Sequence, residues 1–424
     1  MLCGRMKRDI LNRQAVDQAA YREGFSTDDH LLALSLLVES CNEWNTELWL
    51  ALVDFEKAFD TVEHDALWSA LRKQGIGDEY VCLLQKLYCI QTATVNAGVG
   101  SRAFTLARVV KQGDPISCLL FLCVMEECFA NLKARWNDSN TRRVRDYFGY
   151  VIDNPSDPLT NLRFADDVII VAGNKRDVGR MVAHLATEAA KFGLKIHAGK
   201  TKILTNVSAQ ARPAQLLAGS NYIQVLTDEE TERYLGRRLT LKNSTAIEID
   251  NRIASGWAAF GRLKHVLCNR CIKFTQRLRL FETAVTPAVL CGCAAWTLNV
   301  SLEQKVEKTR RTMIRKMLML PRLLDETWVE YIRRSTHKAE AEAASRGYEK
   351  WVVVARLRKW TFAGKTARQV DGRWTTTLLE WRRGSGALPS EAVVVLLHAG
   401  WMVLPSTLAA TGKFWRRMAM HGAK

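Results

Sequence analysis

The sequence predicts an α+β fold: a mixed domain built around an acid-tipped sheet, followed by a mostly helical, basic region. Three observations lead there. Glu47 to Asp54 (ELWLALVD) is apolar on both alternating faces, the pattern of a strand buried on both sides, and it ends in a carboxylate. Leu162 to Phe164 and Val168 to Ala172 are short strand-like runs flanking Ala165-Asp166-Asp167, which reads as a tight β-hairpin with two acids at its tip. The charge is one-sided: residues 1–255 carry 31 Lys+Arg against 32 Asp+Glu, whereas residues 256–424 carry 30 against 12. From about residue 245 the pattern is mostly helical. A basic half of this kind suits a polyanion, most often nucleic acid, although a solvated basic surface without a partner gives the same count.

Taken in order, Val62 to Gln74 reads as a helix, with Leu67 and Leu71 four apart and Gly75 as its stop. Leu119 to Leu132 is a mostly buried helix, and Asp177 to Phe192 is another, ended by Gly193. Lys195 to His197 and Thr201 to Leu204 look like a second hairpin turning at Ala198-Gly199. Asn137 to Pro158 and Val207 to Asn221 are polar, contain Pro or Gly and read as linkers. The first is expected to be a loop inside one domain, and a softer boundary falls near 240–250, where the charge balance changes. The expected division is 1–245, 246–330 and 331–424.

The bulk composition narrows the class. At 424 residues and 48% hydrophobic content, the chain can fill two or three cores. Its 11 cysteines are scattered, several within apolar stretches, which fits free thiols in a reducing compartment. Cys268 and Cys271 form a CxxC. Cys291 and Cys293 have one residue between them and lie in an apolar run, which argues against structural zinc. Met1 to Arg13 is mixed and charged, unlike a secretory signal. Val393 to Leu404 is apolar but too short to span a bilayer. The reading is a soluble intracellular protein with no membrane partner. Nothing separates nucleus from cytoplasm or implies a protein partner.

The chemistry lies in Asp54 and Asp166-Asp167. Two-metal phosphoryl transfer needs carboxylates on rigid elements to hold two Mg²⁺ ions about 4 Å apart. One ion lowers the pKa of an attacking hydroxyl and the other neutralises the leaving phosphates. Mg²⁺ takes one or two carboxylates plus phosphate oxygens and keeps some waters. Taken alone, acids at a hairpin tip also fit plain turn chemistry, since Asp tolerates turn geometry.

The wider sequence decides between the two. Gln18-Ala19-Ala20-Tyr21-Arg22-Glu23-Gly24-Phe25-Ser26-Thr27-Asp28-Asp29-His30 resembles a "QAGFRxGxxTxDH" segment. Leu52-Val53-Asp54-Phe55-Glu56-Lys57-Ala58-Phe59-Asp60, continued by Val62-Glu63-His64, resembles a first catalytic motif, and Lys111-Gln112-Gly113-Asp114-Pro115-Ile116-Ser117 an "RQGxxLSP" nucleotide-site motif. Phe164-Ala165-Asp166-Asp167 resembles a second catalytic motif, Gly193-Leu194-Lys195-Ile196 with Lys200-Thr201-Lys202 a "GLxIxxxKTK" segment, and Tyr234-Leu235-Gly236 a primer-grip hairpin. Six motifs in this order identify the chain as similar to the reverse transcriptases of non-LTR (LINE-like) retrotransposons. The likeness continues through Arg252 to Trp296, like that family's thumb, and Arg356 to Trp381, like its tail.

The resemblance implies a right-hand polymerase palm with partial fingers, then a helical thumb-like region and a basic tail. It implies an RNA-directed DNA polymerase that uses two Mg²⁺ ions, an RNA template, a DNA primer and dNTPs. Asp54, Asp166 and Asp167 become the metal carboxylates, and the Phe55 carbonyl a further metal ligand. Phe59 becomes the steric gate against a ribose 2′-hydroxyl; on its own it reads equally as core packing. Gln112 and Gly113 would lie along the incoming nucleotide and template. Lys200 or Lys202 would sit near the leaving phosphates, with the choice open. Tyr234, Leu235 and Gly236 would grip the primer. The same resemblance implies a fragment, with an endonuclease and the cationic fingers segment lying upstream of residue 1, and hence a slow polymerase by itself. Cys118 stands where Pro is usual, and Lys111 where Arg is usual. The competing readings are a catalytically inactive remnant that only binds nucleic acid and a group II intron maturase, against which the thumb and tail argue.

Overall fold

The computed structural model describes residues 2–89, 92–96, 101–105, 110, 113–138, 148–152, 157–242 and 244–381. The expected Gln112 contact, the apolar run 393–404 and most of the first expected linker lie outside them. The chain forms two compact units. One comprises Met1–Leu235 with a segment that begins at Asp371, and the other comprises Gly236–Val370.

In the first unit the helices are α1 (Leu2–Asn12), α2 (Thr27–Glu43), α3 (Ala58–Thr61), α4 (His64–Lys73), α5 (Asp78–Cys89), α6 (Pro115–Asn137) and α7 (Lys175–Ala190). Its strands are β1 (Trp49–Val53), β2 (Thr92–Asn96), β3 (Ser101–Thr105), β4 (Asn161–Phe164), β5 (Asp167–Ala172), β6 (Lys202–Thr205), β7 (Gln215–Ala218), β8 (Asn221–Val225) and β9 (Glu232–Tyr234). Six strands make one sheet in the order β4-β5-β1-β6-β8-β7, and β2 and β3 pair as a separate hairpin. β1 is central and antiparallel to both neighbours, with Val53 opposite Val168 and Leu52 opposite both Ile169 and Lys202. All five of its residues are buried, as a both-faces-apolar run requires. The core runs from Trp49, Ala51 and Val53 across to Phe121, Val124 and Phe129 of α6, and to Met181 and Leu185 of α7.

α6 is the backbone of that core. Asp114 caps it by accepting from the Ile116 amide (3.2 Å), and Pro115 supplies a helical φ at the first position. Among the described residues α6 alone is long and apolar enough to cross a bilayer, and 67% of its most apolar stretch is buried inside the protein.

Two sequence expectations change here. Lys195 to His197 and Thr201 to Leu204 do not pair with each other. Ile196 instead bridges Phe55 beyond the end of β1, and a helical turn closes 197–201 through the Thr201 amide and the His197 carbonyl (2.9 Å). β6 then pairs antiparallel with β1 and parallel with β8. The 207–221 stretch also carries strand β7, so it is not a plain linker.

The second unit begins with β10 (Arg237–Leu239) and is otherwise helical: α8 (Ser244–Arg262), α9 (Lys264–Leu267), α10 (Phe274–Ala284), α11 (Thr286–Val289), α12 (Val300–Leu318), α13 (Trp328–Ala344) and α14 (Trp351–Ala367). Phe281 stacks on Trp351 with centroids 5.8 Å apart, and the Trp351 indole donates to Thr286 Oγ1 at 2.9 Å. Phe260 and Phe281 are buried, and Trp257 and Phe274 pack against the same core, so these aromatics hold helices together. The last described helix, α15 (Trp374–Glu380), packs on α2 in the first unit.

Candidate active site

Asp54 follows the last residue of β1, and Asp167 is the first residue of β5. Because Val53 faces Val168, the ladder carries Asp54 alongside Asp167 at the same end of the sheet. Phe164 pairs with Asp167, leaving Ala165 and Asp166 as the two-residue tip. Partial burial pushes Asp166 up, and the nearby Asp54 charge adds to it. Burial, then Asp166, then Asp54, raise Asp167 to about 6. The three carboxylates are therefore near enough to repel, although their outer faces remain open to solvent.

That arrangement fits a divalent ion. Among the described residues no three His, Cys, Asp or Glu side chains close into a ready-made metal cage. An open rim suits Mg²⁺, which keeps waters and takes substrate phosphate oxygens as ligands. Clustered carboxylates whose charges are mutually unfavourable are a donor set that a cation would relieve.

The loop from Lys195 to Thr201 pins the end of β1. The His197 amide donates to the Asp54 carbonyl (2.8 Å), the Glu56 amide to the Lys195 carbonyl (2.8 Å), and the Asp54 amide to Thr201 Oγ1 (3.3 Å). Just before this loop Gly193, with φ +81°, lets the chain pass close to the end of α3: a Cβ there would lie 2.4 Å from the Thr61 carbonyl oxygen. The two lysines differ. Lys200 Nζ is exposed and 3.8 Å from Asp54 Oδ2, whereas Lys202 Nζ donates to the Gly199 carbonyl and to Gln224 Oε1, both at 2.8 Å.

The remaining sequence candidates are placed as follows. Phe55 is buried beside Ile196. Phe59 is half-buried and stacks on Phe121 with centroids 4.5 Å apart. Gly113 is exposed at φ +89°, just ahead of α6. Tyr234 is buried, with its hydroxyl 3.2 Å from His30 Nδ1, and burial and then the Asp167 charge hold its phenol well above the ordinary value. Leu235 and Gly236 have φ of +47° and +77°, the signs a tight two-residue turn requires.

Sequence reading missed a buried polar network behind the hairpin. Arg163 is fully buried, donates to Glu126 (3.0 Å) and lies over the Phe129 ring. Asp17 pairs with Lys133 and accepts from the Trp374 indole (3.1 Å). Burial would raise Asp17, yet Lys133 and Arg163 bring it below its ordinary value. Arg373 reaches Asp29 and the Gly24 carbonyl, both at 3.0 Å, and covers the Phe25 ring at 3.8 Å. The visible signal was charge inside the QAAYREGFSTDDH segment, but its partners lie more than a hundred residues away.

A sheet that presents carboxylates from a central strand end and an adjacent hairpin tip, with α6 and α7 packed behind it, is the palm of a nucleic-acid polymerase. The chain belongs to the reverse transcriptase (RNA-dependent DNA polymerase) family, whose model matches residues 2–239. Members of that family bind a nucleic-acid template and primer and use divalent metal ions. It is 35% identical over 225 residues to an uncharacterised transposon-derived protein of Caenorhabditis elegans, covering 53% of this chain and 77% of that one. It is 27% identical to an R2 retrotransposable element Pol polyprotein of Popillia japonica (72% of this chain, 42% of that one) and 24% identical to the R2DM polyprotein of Drosophila melanogaster (69% and 26%). The chain thus spans less than half the length of these polyproteins. Among solved structures it is similar to telomerase of Candida albicans, at 11% identity and a TM-score of 0.44, over 79% of this chain and 57% of that one. The family and the α+β fold that the motifs implied are borne out.

Proposed function

We propose that this chain is the catalytic part of an RNA-directed DNA polymerase of a non-LTR retrotransposon, extending a DNA primer on an RNA template with dNTPs. The observation that carries the reading is the meeting of Asp54 with Asp166-Asp167 at one sheet end, in a chain of the reverse transcriptase family. Asp54, Asp166, Asp167 and the Phe55 carbonyl would hold two Mg²⁺ ions. When bound, these supply the charge that activates the primer hydroxyl and neutralises the departing pyrophosphate.

The chain's own groups do the rest. Thr201 and the His197 amide hold Asp54 in place. Lys200, beside Asp54, would donate a proton to the leaving phosphate rather than Lys202, which is bonded to the Gly199 carbonyl and to Gln224. Phe59, supported by Phe121, is the wall against a 2′-hydroxyl. Gly113, and by the motif Gln112, would line the nucleotide and template, with the exposed positive-φ glycine giving close backbone approach. Tyr234, Leu235 and Gly236 would form the primer grip that their motif implies, with Tyr234 buried against His30 at the base of the turn.

The test is primer extension on an RNA template with Mg²⁺. Asp54→Asn and Asp166→Asn should each lower the rate by roughly three orders of magnitude or more, with unchanged circular dichroism. Near wild-type extension by either variant overturns the reading. A chain that retains duplex binding but shows no extension before mutation would be a nucleic-acid-binding remnant.

A further inference from the structure

The hairpin tip breaks a backbone rule. Ala165 sits at φ +57°, and Asp166 is not among the positive-φ residues. A two-residue hairpin with positive φ only at its first position ordinarily places Gly there. Ala carries a Cβ that disfavours this region, so something else must hold it.

What holds it is Gln18. Its side chain is fully buried, and Oε1 accepts from the Ala165 amide (3.3 Å) and from the Ala20 amide (2.9 Å). The backbone fixes the acceptor's approach: Gln18 bridges Arg163 in parallel, with the Ala19 amide donating to the Arg163 carbonyl (3.0 Å) and the Arg163 amide to the Asp17 carbonyl (2.8 Å). Arg163, two residues before Ala165, is itself immobilised by Glu126 and by the Met125 carbonyl. The other end of the Gln18 amide, Nε2, is buried with no hydrogen-bond partner. An interior amide left half-satisfied is costly, and its satisfied half is the oxygen that meets the turn.

We infer that Gln18 is a positioning residue for the acidic tip: its amide oxygen fixes the left-handed Ala165 and thereby sets the direction of Asp166 and Asp167. This rests on the polymerase reading given above. Gln18 touches neither substrate nor metal. It acts through one backbone amide at the residue before Asp166. Groups that orient metal ligands without touching the metal change affinity or rate by roughly 10- to 100-fold when lost.

The experiment compares wild type, Gln18→Met, Ala165→Gly and the double variant. Gln18→Met keeps the side-chain volume and removes the acceptor. It should lower kcat by roughly 10- to 100-fold with KM for template–primer changed by less than about twofold, and weaken Mn²⁺ binding, read by electron paramagnetic resonance without substrate, by a similar factor. Gly adopts positive φ freely, so the double variant should recover to within about threefold of Ala165→Gly alone. A Gln18 with a merely structural role in the core would not be rescued by a glycine at 165. Wild-type kcat and Mn²⁺ affinity in a folded Gln18→Met, or a loss that Ala165→Gly leaves untouched, overturns the inference. Should Gln18→Met not fold, Gln18→Asn keeps the polar interior but is one methylene short of Ala165, and the same two outcomes apply. If Asp54→Asn abolishes extension while Gln18→Met is normal, only this inference falls. If Asp54→Asn is active, the polymerase reading falls first.

Discussion

Arg373 lies within the first unit although it is 344 residues from its partner Asp29, and removing it should unclasp that unit's N-terminal motif. Its guanidinium donates to Asp29 and to the Gly24 carbonyl, covers Phe25 and also pairs with Asp371. The Arg373 and Asp29 side chains are 6% and 4% exposed, so the pair is a buried one. Breaking a buried pair from one side costs about 3–5 kcal/mol. Asp29 keeps the Ser26 amide (2.7 Å) and hydroxyl (2.9 Å) as donors, which places Arg373→Met at the lower end, about 3 kcal/mol. For a unit of this size that corresponds to a melting shift of roughly 6–12 °C. The two units need not melt together, so the assay is hydrogen exchange read by peptide, with thermal melts beside it. Protection should fall in Gly24 to Glu43 and in Trp374 to Glu380, while peptides of α10 and α12 stay unchanged. A shift below about 2 °C, with α2 protection intact, would show that the Asp371 segment rests on the unit without holding it.

Further outcomes follow from the same geometry. Phe59→Val should raise ribonucleotide relative to deoxyribonucleotide incorporation, and an unchanged ratio makes Phe59 only the stacking partner of Phe121. Lys200→Ala should slow extension by roughly 100-fold, the low end of general-acid effects, while Lys202→Ala changes it little; equal losses would remove the distinction. Burial holds His30 down at about 4, against about 6.5 when unfolded. Its folded pKa is depressed, so its contribution is fully present above pH 6.5 and is lost as pH falls towards 4, by about 2 kcal/mol at pH 5. Denaturant midpoints at pH 7.5 and 5 should therefore differ more in wild type than in His30→Gln. In the second unit Lys308, Arg311, Arg315, Arg333 and His337 line a groove between α12 and α13. Duplex binding there should weaken steeply with salt, and Arg315→Ala should reduce the log–log salt slope by about 1; a flat salt dependence would refute phosphate contacts.

What was legible from the sequence was local. The β1 run, the α4 stop at Gly75 and the acid-tipped hairpin each carry their own period and punctuation, and they appear within a residue or two of where the pattern placed them. Partner choice was not legible. Lys195 to Leu204 has the composition of a hairpin, but its first half bridges Phe55, where the Asp54 carbonyl and Glu56 amide take its backbone hydrogen bonds, and its second half joins β1 and β8. Nor could residue patterns show that Asp371-Gly372-Arg373-Trp374 returns to Asp17 and Asp29, since a buried Arg and its Asp look like surface charges until the fold brings them together.

The departures from local rules fall mostly where the motifs lie. Among the described residues six other than glycine have positive φ, and four of them belong to the motif segments: Tyr21, Lys57, Ala165 and Leu235. Tyr21 stands near Asp166, whose charge, after the Cys118 contact and burial, helps push its phenol up to about 12. Lys57, three residues after Asp54, turns the chain into α3. Ala165 turns it into Asp166, and Leu235 follows Tyr234, which senses Asp167. A fold free to choose would put glycine at such turns and leucine in place of the strand-end acids. Strain persists only when surrounding bonds over-determine it; at Ala165 that bond comes from Gln18, and the neighbours of two other strained positions are also held, Asp54 by Thr201 and His197 and Tyr234 by His30. Carboxylates that repel one another are thus gathered at one end of the sheet, with Gln18 bonded to the turn before Asp166 and Thr201 and His197 bonded to the backbone of Asp54.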